Sequence, residues 1–329
     1  MAGSATALAF PFGSVFGSVA TTNKPVIVTA RRSSSNPLSP DEVYELQKEA
    51  AERFNRINDT DIAIGKGKPA SDADTVALTH YIKPNGEPAT YAGALPSAKG
   101  AAAHRIDRLH AHADEFERTI QKTTSNEPTY GFVGLASAGN MKNWDSKVAN
   151  TNYEYNDCPY GVIYMSMEVK EEYDGYYYGY GGDHIHRVNP GANQCGSGWT
   201  QYETWTRDYW SEYDAGDPQL EETYPSGDRS GDFSVSGSIS YGNASIGVSY
   251  NPPKVSRTDN TDDIADDYKL DWKFNSDTSS RHDFNPASQV EVSDDAESGN
   301  RILKYLSGSK WYNYNYGFHT TEADWYVYK

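Results

Sequence analysis

Two segments near the start of the chain have the apolar periodicity of amphipathic helices. The first begins at Ser39-Pro40-Asp41-Glu42, a capping box with proline at the first helical position. Apolar residues then recur at intervals of three or four and form one stripe, which consists of Val43, Leu46, Ala50, Phe54 and Ile57. The pattern predicts a helix that runs from this box to about Asn58.

A second helical pattern covers Ala101–Lys122 and follows a predicted hairpin. Its apolar stripe has the same spacing and consists of Ile106, Leu109, Ala113, Phe116 and Ile120. Upstream, the strand-like runs Thr75–Lys83 and Thr90–Leu95 flank the turn signal Pro84-Asn85-Gly86. These patterns predict a small helical or α+β region over residues 39–125. Residues 21–38 before it are a predicted linker or short strand.

The pattern changes after residue 126, where short runs of β-branched and aromatic residues alternate with clusters of Gly, Asn, Asp and Pro. The candidate strands are Tyr130–Ala136, Gly161–Glu168, Ile185–Asn189, Trp199–Trp205, Phe233–Tyr241, Ala244–Tyr250, Tyr268–Phe274, Gln289–Val292, Ile302–Leu306 and Ala323–Tyr328. Many short strands without a helical period are typical of a sandwich. The predicted fold class is mainly β: an antiparallel β-sandwich over residues 126–329, preceded by a small helix-containing (α or α+β) N-terminal region.

The clearest alternation lies in residues 233–250, FSVSGSISYGNASIGVSY. Gly242-Asn243 predicts a two-residue hairpin turn that places Tyr241 opposite Ala244. Ser and Gly then share one face, and the apolar set shares the other: Phe233, Val235, Ile239, Tyr241, Ala244, Ile246, Val248 and Tyr250. One interpretation is a sandwich hairpin whose serines face solvent. The other is the membrane-inserting stem of a pore-forming protein, although each arm is slightly short of the roughly 9–11 residues of a membrane-spanning strand.

Composition adds an aromatic and acidic character. Hydrophobic residues make up only 37% of the 329 residues, whereas tyrosine occurs 26 times, which favours β-structure. Residues 1–125 hold equal numbers of basic and acidic side chains, so the formal net charge of −17 falls entirely in residues 126–329. This asymmetry supports a boundary near Thr123–Pro128, and the acidity argues against nucleic acid as a partner.

A tyrosine-rich run, Glu168–Gly182, marks the acidic half, and the later Trp311–Phe318 (WYNYNYGF) has a similar composition. Exposed aromatic rings with polar edges suit stacking on sugars or burial at a protein interface. The candidate ligand-binding residues are Tyr173, Tyr176, Tyr177, Tyr178, Tyr180 and Trp199. The alternative is that these rings fill the sandwich core, because Leu and Ile are scarce.

The sequence contains two weak metal signals, and neither assigns a cofactor. Residues two apart on a strand share a face, and a histidine pair so placed suits zinc; the candidate ligands are Asp183, His184 and His186. A third ligand would come from His282 or His319. The acidic run Asp259–Asp267 has the composition of a calcium loop but lacks the glycine that an EF-hand needs at its sixth position. Hydrogen-bonded histidines and a solvated acidic loop are the alternatives.

The first twenty residues, MAGSATALAFPFGSVFGSVA, predict export. The run is weakly apolar and ends in Ser18-Val19-Ala20, a small-x-small pattern typical of signal-peptidase sites. No basic residue precedes it, so it resembles the second half of a twin-arginine export signal, and we expect the true start codon to lie upstream. Residues 1–20 are thus a predicted signal-peptide remnant. In a secreted protein, the two cysteines Cys158 and Cys195 predict one disulfide.

The export signal and the dense carboxylates together resemble secreted proteins of salt-loving archaea, in which carboxylates keep the surface hydrated. The chain departs from that balance because Lys outnumbers Arg. The motifs G-x-S-x-G, H-E-x-x-H and the P-loop are absent. We therefore expect a non-enzymatic extracellular protein that binds a carbohydrate or protein partner, or assembles, through its aromatic-rich β domain. A membrane-active pore-forming protein and a metal-dependent hydrolase are the alternatives.

Overall fold

The computed structural model describes residues 23–70, 73–123, 146–173, 178–224, 235–241, 244–250, 255–262 and 264–329. The helices are α1 (Pro40–Asn58), α2 (Ala103–Thr123) and α3 (Gly191–Gln194). The strands are β1 (Val26–Arg31), β2 (Lys66–Pro69), β3 (Asp74–Ile82), β4 (Pro88–Leu95), β5 (Ser146–Asp157), β6 (Gly161–Tyr173), β7 (Tyr178–Pro190), β8 (Thr200–Tyr209), β9 (Gln219–Tyr224), β10 (Val235–Tyr241), β11 (Ala244–Tyr250), β12 (Val255–Asp259), β13 (Asp267–Thr278), β14 (His282–Phe284), β15 (Ala287–Val292), β16 (Arg301–Asn313) and β17 (Gly317–Tyr328).

Both predicted helices are present, and the first begins as its sequence predicts. The Ser39 side chain accepts a hydrogen bond from the backbone of Glu42, and the Glu42 carboxylate accepts one from the backbone of Ser39. Phe54 in the predicted stripe of α1 is fully buried, whereas Ile57 at the end of the helix is 42% exposed. Helix α2 buries its own stripe against β3 and β4.

The first sheet joins the N-terminal region to the acidic region. Its order is β1-β3-β4-β5-β6-β7-β15-β9, with β14 also paired to β7. The predicted hairpin β3–β4 is confirmed, and the pair β4–β5 is parallel. Parallel neighbours need a crossover connection, which contains α2. Beyond Thr123, the predicted boundary near Thr123–Pro128 lies outside the described residues, and the first sheet contains strands from both sides of it.

The second sheet has the order β12-β13-β8-β16-β17-β2 and is antiparallel throughout its described pairs. The two sheets face each other and enclose the main core. Tyr305 on β16 donates a hydrogen bond to the carbonyl of Glu168 on β6, at 3.3 Å. A Cβ atom at Gly161 would lie 2.6 Å from the Trp311 ring, so glycine is needed there for close approach of the sheets.

The predicted fold class is confirmed, because the molecule is mainly β, with two packed sheets and a small helix-containing N-terminal region. Aromatic side chains fill much of the inter-sheet core, as the scarcity of Leu and Ile implies; the fully buried examples are Tyr153, Tyr180, Trp210, Tyr268, Tyr305, Trp311 and Trp325. The predicted strand Tyr130–Ala136 lies outside the described residues. Most other predicted strands are shorter than the observed ones, because hydrogen bonding to neighbouring strands extends the strands beyond their apolar runs.

Candidate functional site

Strands β10 and β11 form the hairpin that the alternation predicts. Tyr241 is in register with Ala244, and the register continues to Val235 opposite Tyr250. Because alternate residues of a strand share a face, this register keeps the apolar positions together. The matched pairs on that face are Val235 with Tyr250, Gly237 with Val248, Ile239 with Ile246 and Tyr241 with Ala244. Phe233 and the turn Gly242-Asn243 lie outside the described residues.

The opposite face of the hairpin is composed of small polar or glycine positions. Its matched pairs are Ser236 with Ser249, Ser238 with Gly247 and Ser240 with Ser245. Residues 233–250 contain no charged residue, although 23% of the whole chain is charged. One face is therefore apolar and the other is uncharged and small, over both arms.

The hairpin occupies a special place in the topology. In the part of the chain that the structure describes, β10 and β11 pair only with each other. The strand before them, β9, belongs to the first sheet, and the strand after them, β12, belongs to the second. The hairpin therefore lies, in chain order, between a strand of one sheet and a strand of the other.

The turn between β16 and β17 exposes a group of aromatic side chains, which we call the aromatic tip and define as Tyr314, Tyr316 and Phe318. Their exposed fractions are 89%, 77% and 53%. Tyr316 stacks near Trp199 with a centroid distance of 6.3 Å. The Lys310 ammonium lies 4.7 Å from the centre of the Phe318 ring. The tip thus presents large apolar surface with polar edges to solvent.

The predicted disulfide is present between Cys158 and Cys195. It ties the β5–β6 turn to the end of α3, and Trp199 follows four residues later. Tyr160, beside Cys158, packs edge-on to Trp199 at a centroid distance of 4.9 Å. The disulfide therefore links the two segments that carry Tyr160 and Trp199, and Trp199 contacts the aromatic tip through Tyr316.

The structure separates the candidate tyrosines of the ligand-binding set. Tyr180 is fully buried; its hydroxyl donates a hydrogen bond to Asp295, and burial raises its pKa. Tyr178 is half-buried against the core. Tyr176 and Tyr177 lie outside the described residues, and for Tyr173 only the backbone is described. Trp199 lies beneath the aromatic tip, so this residue is the member that the structure places beside an exposed aromatic surface.

His184 and His186 lie on β7 and face the second sheet. Both are buried; His184 Nδ1 lies 3.2 Å from Asp208 Oδ1 on β8, and His186 Nε2 lies 2.5 Å from the Thr204 hydroxyl. Burial lowers the pKa of His186 well below its ordinary value. Their partners are groups of the facing sheet, so these histidines join the two sheets.

Metal binding at the predicted positions gains no support from this geometry. Among the described residues, no group of three or more His, Cys, Asp or Glu side chains could hold a metal ion; the Asp183 side chain is outside that set. His319 lies elsewhere and pairs with Asp157 at 3.1 Å. In the acidic run, Asp262 accepts hydrogen bonds from the backbone of Ile264 and Ala265.

A cavity that the sequence analysis missed lies beside α2, on the face of the first sheet that points away from the second. Its volume is 450 Å³, and Arg108, Arg187 and Arg281 all line it. These residues belong to α2, β7 and the segment before β14, which are far apart in the chain. No local motif could have indicated the cavity, because only the sheet pairing brings the three arginines together.

No helix within the described residues has both the length and the apolar character needed to cross a membrane. No protein-family model matches the chain, and no curated protein matches it. Solved structures that are similar to part of the chain, each at 10% identity, include the membrane-inserted form of the Clostridium perfringens NetB toxin, with a TM-score of 0.25 over 50% of this chain and 88% of that one. Two others are the Clostridium perfringens delta-toxin, with 0.29 over 55% and 89%, and a structure described as a pore forming protein, with 0.24 over 51% and 84%. Similarity at these TM-scores assigns no function to the chain.

Proposed function

We propose that the protein is secreted and acts on lipid membranes by inserting hairpin β10–β11 as the stem of a pore. The observation that carries this proposal is the register of the hairpin, which keeps apolar positions on one face and Ser or Gly on the other. A strand in a membrane pore needs this alternation, because one face meets lipid and the other meets water. The lack of any charge in residues 233–250 removes the main cost of placing the segment in lipid.

Edge pairing gives the hairpin a reason to assemble. An isolated two-stranded hairpin is only marginally stable in water, and in lipid every backbone polar group must find a partner. Hairpins from several copies that pair edge to edge would satisfy these groups on both sides. The aromatic tip suits the membrane surface, because Tyr and Trp concentrate where lipid meets water. The disulfide and the predicted signal remnant support secretion.

The test compares two lysine substitutions at neighbouring positions, Ile239→Lys and Ser238→Lys. We expect the chain to release dye from phospholipid vesicles and to form a discrete oligomer that light scattering detects. Ile239→Lys should abolish release, because a lysine that faces lipid at the bilayer midplane costs about 2–4 kcal/mol per copy. Ser238→Lys places the same charge on the other face, so release should persist and the pore should favour anions.

The control is the stability of the soluble protein, measured by urea unfolding and near-UV circular dichroism. If Ile239→Lys unfolds the protein in solution, the apolar face of the hairpin is part of the folded core and the proposal is wrong. Equal release by wild type and Ile239→Lys would also contradict it. If the wild-type chain releases no dye from vesicles of several lipid compositions, the proposal is also wrong.

A second candidate function is binding without insertion, and the exposed aromatic tip favours it. Large rings with polar edges at a protruding turn suit a carbohydrate or a protein partner. Screening the chain on a glycan array tests this directly. We expect signal that Tyr314→Ser removes, with the hairpin variants unaffected; a signal that Tyr314→Ser leaves unchanged would contradict binding by the tip.

A further inference from the structure

The cavity beside α2 is built on a row of polar side chains that crosses four strands. Tyr164 on β6 is in register with Glu154 on β5 and with Arg187 on β7. Arg187 is in turn in register with Asp283 on β14. Neighbouring residues such as Ile163 point the other way, into the inter-sheet core. The row therefore forms the floor of the cavity on the outer face of the sheet.

Helix α2 supplies a polar wall one turn long. Arg108 donates a hydrogen bond to the Tyr164 hydroxyl at 2.6 Å and lies 3.5 Å from the Glu154 carboxylate. His112, four residues later, lies 2.6 Å from the same carboxylate. The Tyr91 hydroxyl donates to it as well, at 3.0 Å. Glu154 is 1% exposed and its carboxylate is shared by Arg108, His112 and Tyr91, so protein donors largely neutralise its negative charge.

The remaining carboxylate at the site is shared by two arginines. Arg187 makes a bidentate ion pair with Asp283, with both distances 2.9 Å. Arg281 lies 3.5 Å from the same carboxylate and has a side chain that is 53% exposed. Three arginines thus face two carboxylates. The local excess of positive charge lies in a chain whose formal net charge is −17, so general basicity of the surface does not account for it.

The Glu154 hydrogen bond also raises the pKa of His112, and burial opposes this effect. Protonation of His112 at mildly acidic pH adds to the positive charge around the cavity. The other titratable groups that face His112 are Glu154 and Arg108 on the floor and wall, and Glu115 on its own helix.

We propose that this cavity binds a monosaccharide-sized molecule that carries one oxyanion, with Arg281 and Arg187 as the anion-binding side chains. A guanidinium group matches a carboxylate, a sulfate or a phosphate through two parallel hydrogen bonds. The volume of 450 Å³ falls in the range of small-molecule sites. Asn152, which also lines the cavity, accepts a hydrogen bond from Ser166 through its amide oxygen and offers its amide nitrogen to hydroxyls of the ligand. The inference does not depend on membrane insertion by the hairpin.

The experiment is calorimetric titration of the full chain at low ionic strength, where charge interactions are least screened. The probes are glucuronate, glucose 6-sulfate and glucose 6-phosphate, and glucose is the uncharged control. We expect at least one charged probe to bind and glucose not to bind. Which of the three binds most tightly identifies the oxyanion as carboxylate, sulfate or phosphate.

Two substitutions at the cavity change the affinity in opposite directions. Arg281→Glu should weaken binding of the best probe by about tenfold, because an attractive charge becomes a repulsive one. Asp283→Asn should tighten it by about threefold, because the carboxylate that competes for both arginines is gone. Arg53→Glu, at an exposed position on α1, makes the same charge change away from the cavity and should leave binding unchanged.

The opposite signs separate a ligand site from a structural role. If the arginines only hold β7 against β14, both cavity variants should have lower melting temperatures. Asp283→Asn should then show no gain of affinity. Binding of glucose as tight as that of its charged derivatives would overturn the proposal. So would the absence of binding for all three charged probes, or equal weakening by Arg281→Glu and Arg53→Glu.

Discussion

Two hairpins of this chain have different surroundings. The long hairpin β16–β17 lies inside the second sheet, where β16 is bonded to β8 on one side and to β17 on the other. Its inward residues Tyr305 and Trp311 are fully buried against the first sheet. Hairpin β10–β11 has the more regular alternation but, in the described ranges, no strand neighbour beyond itself.

The difference shows what alternation does and does not specify. It specifies that a segment is a strand pair with one apolar face. It does not specify what covers that face. For β16–β17 the cover is the facing sheet, and large rings fill the space between the sheets. For β10–β11 the proposed cover is lipid, and the remaining hydrogen-bonding groups along its edges are satisfied only when copies assemble.

Substitutions of apolar residues should lower the free energy of unfolding far more in hairpin β16–β17 than in hairpin β10–β11. Trp311→Ala should lower the free energy of unfolding by about 3–5 kcal/mol, because it leaves a large cavity and removes the indole N–H that donates to the Thr321 hydroxyl at 2.7 Å. The matched change Ile246→Ala in β11 should cost less than about 1 kcal/mol in solution. Urea unfolding of both variants measures the contrast. Equal losses would mean that both hairpins belong to one core.

Acidification should weaken the sheets through their buried histidines. Burial lowers the pKa of His80 to about 3 and that of His186 well below its ordinary value. A depressed folded-state pKa gives stability that is present above the unfolded value near 6.5 and is lost as the pH falls below it. By pH 4 the loss should be about 3 kcal/mol for His80 alone.

The opposite sign applies to His112, whose raised pKa adds stability below neutral pH and offsets part of that loss. Unfolding free energies measured from pH 7 to pH 4 test the sum. We expect a decline, and His186→Asn should make it shallower. Because residues 233–250 contain no side chain that ordinarily ionises between pH 4 and pH 7, the hairpin itself adds no pH dependence in this range. A stability that rises on acidification would contradict this account.

Substitutions at the aromatic tip should change the free energy of unfolding least. They test the exposed turn of hairpin β16–β17 rather than its buried face. Tyr314→Ser should change the free energy of unfolding by less than about 0.5 kcal/mol, because the side chain is 89% exposed. Attachment to vesicles, measured by co-sedimentation, should nevertheless fall several-fold. Lys48→Ser, an exposed change on α1, is the control. Unchanged attachment would remove the tip from the membrane function.

Much of the local structure could be predicted because its causes are local. The capping box predicted the start of α1, the two-residue period predicted the register of β10–β11, and Pro84-Asn85-Gly86 predicted the β3–β4 turn. The disulfide pairing followed because only two cysteines are present. Periodicity did not reveal the parallel pairing of β4 with β5, because that contact depends on where α2 returns the chain.

The β-rich class, the helix start, the hairpin with its two unlike faces and the single disulfide could all be read from the amino-acid sequence, since they depend on residues close together or on a count. The burial of Tyr180 and His186 and the exposure of Tyr314 and Tyr316 became evident from the packing of the two sheets. The tertiary structure also brought Arg108, Arg187 and Arg281 around one cavity. Burial and charge at such places are set by strands distant in the chain, and no local pattern encodes which strands become neighbours.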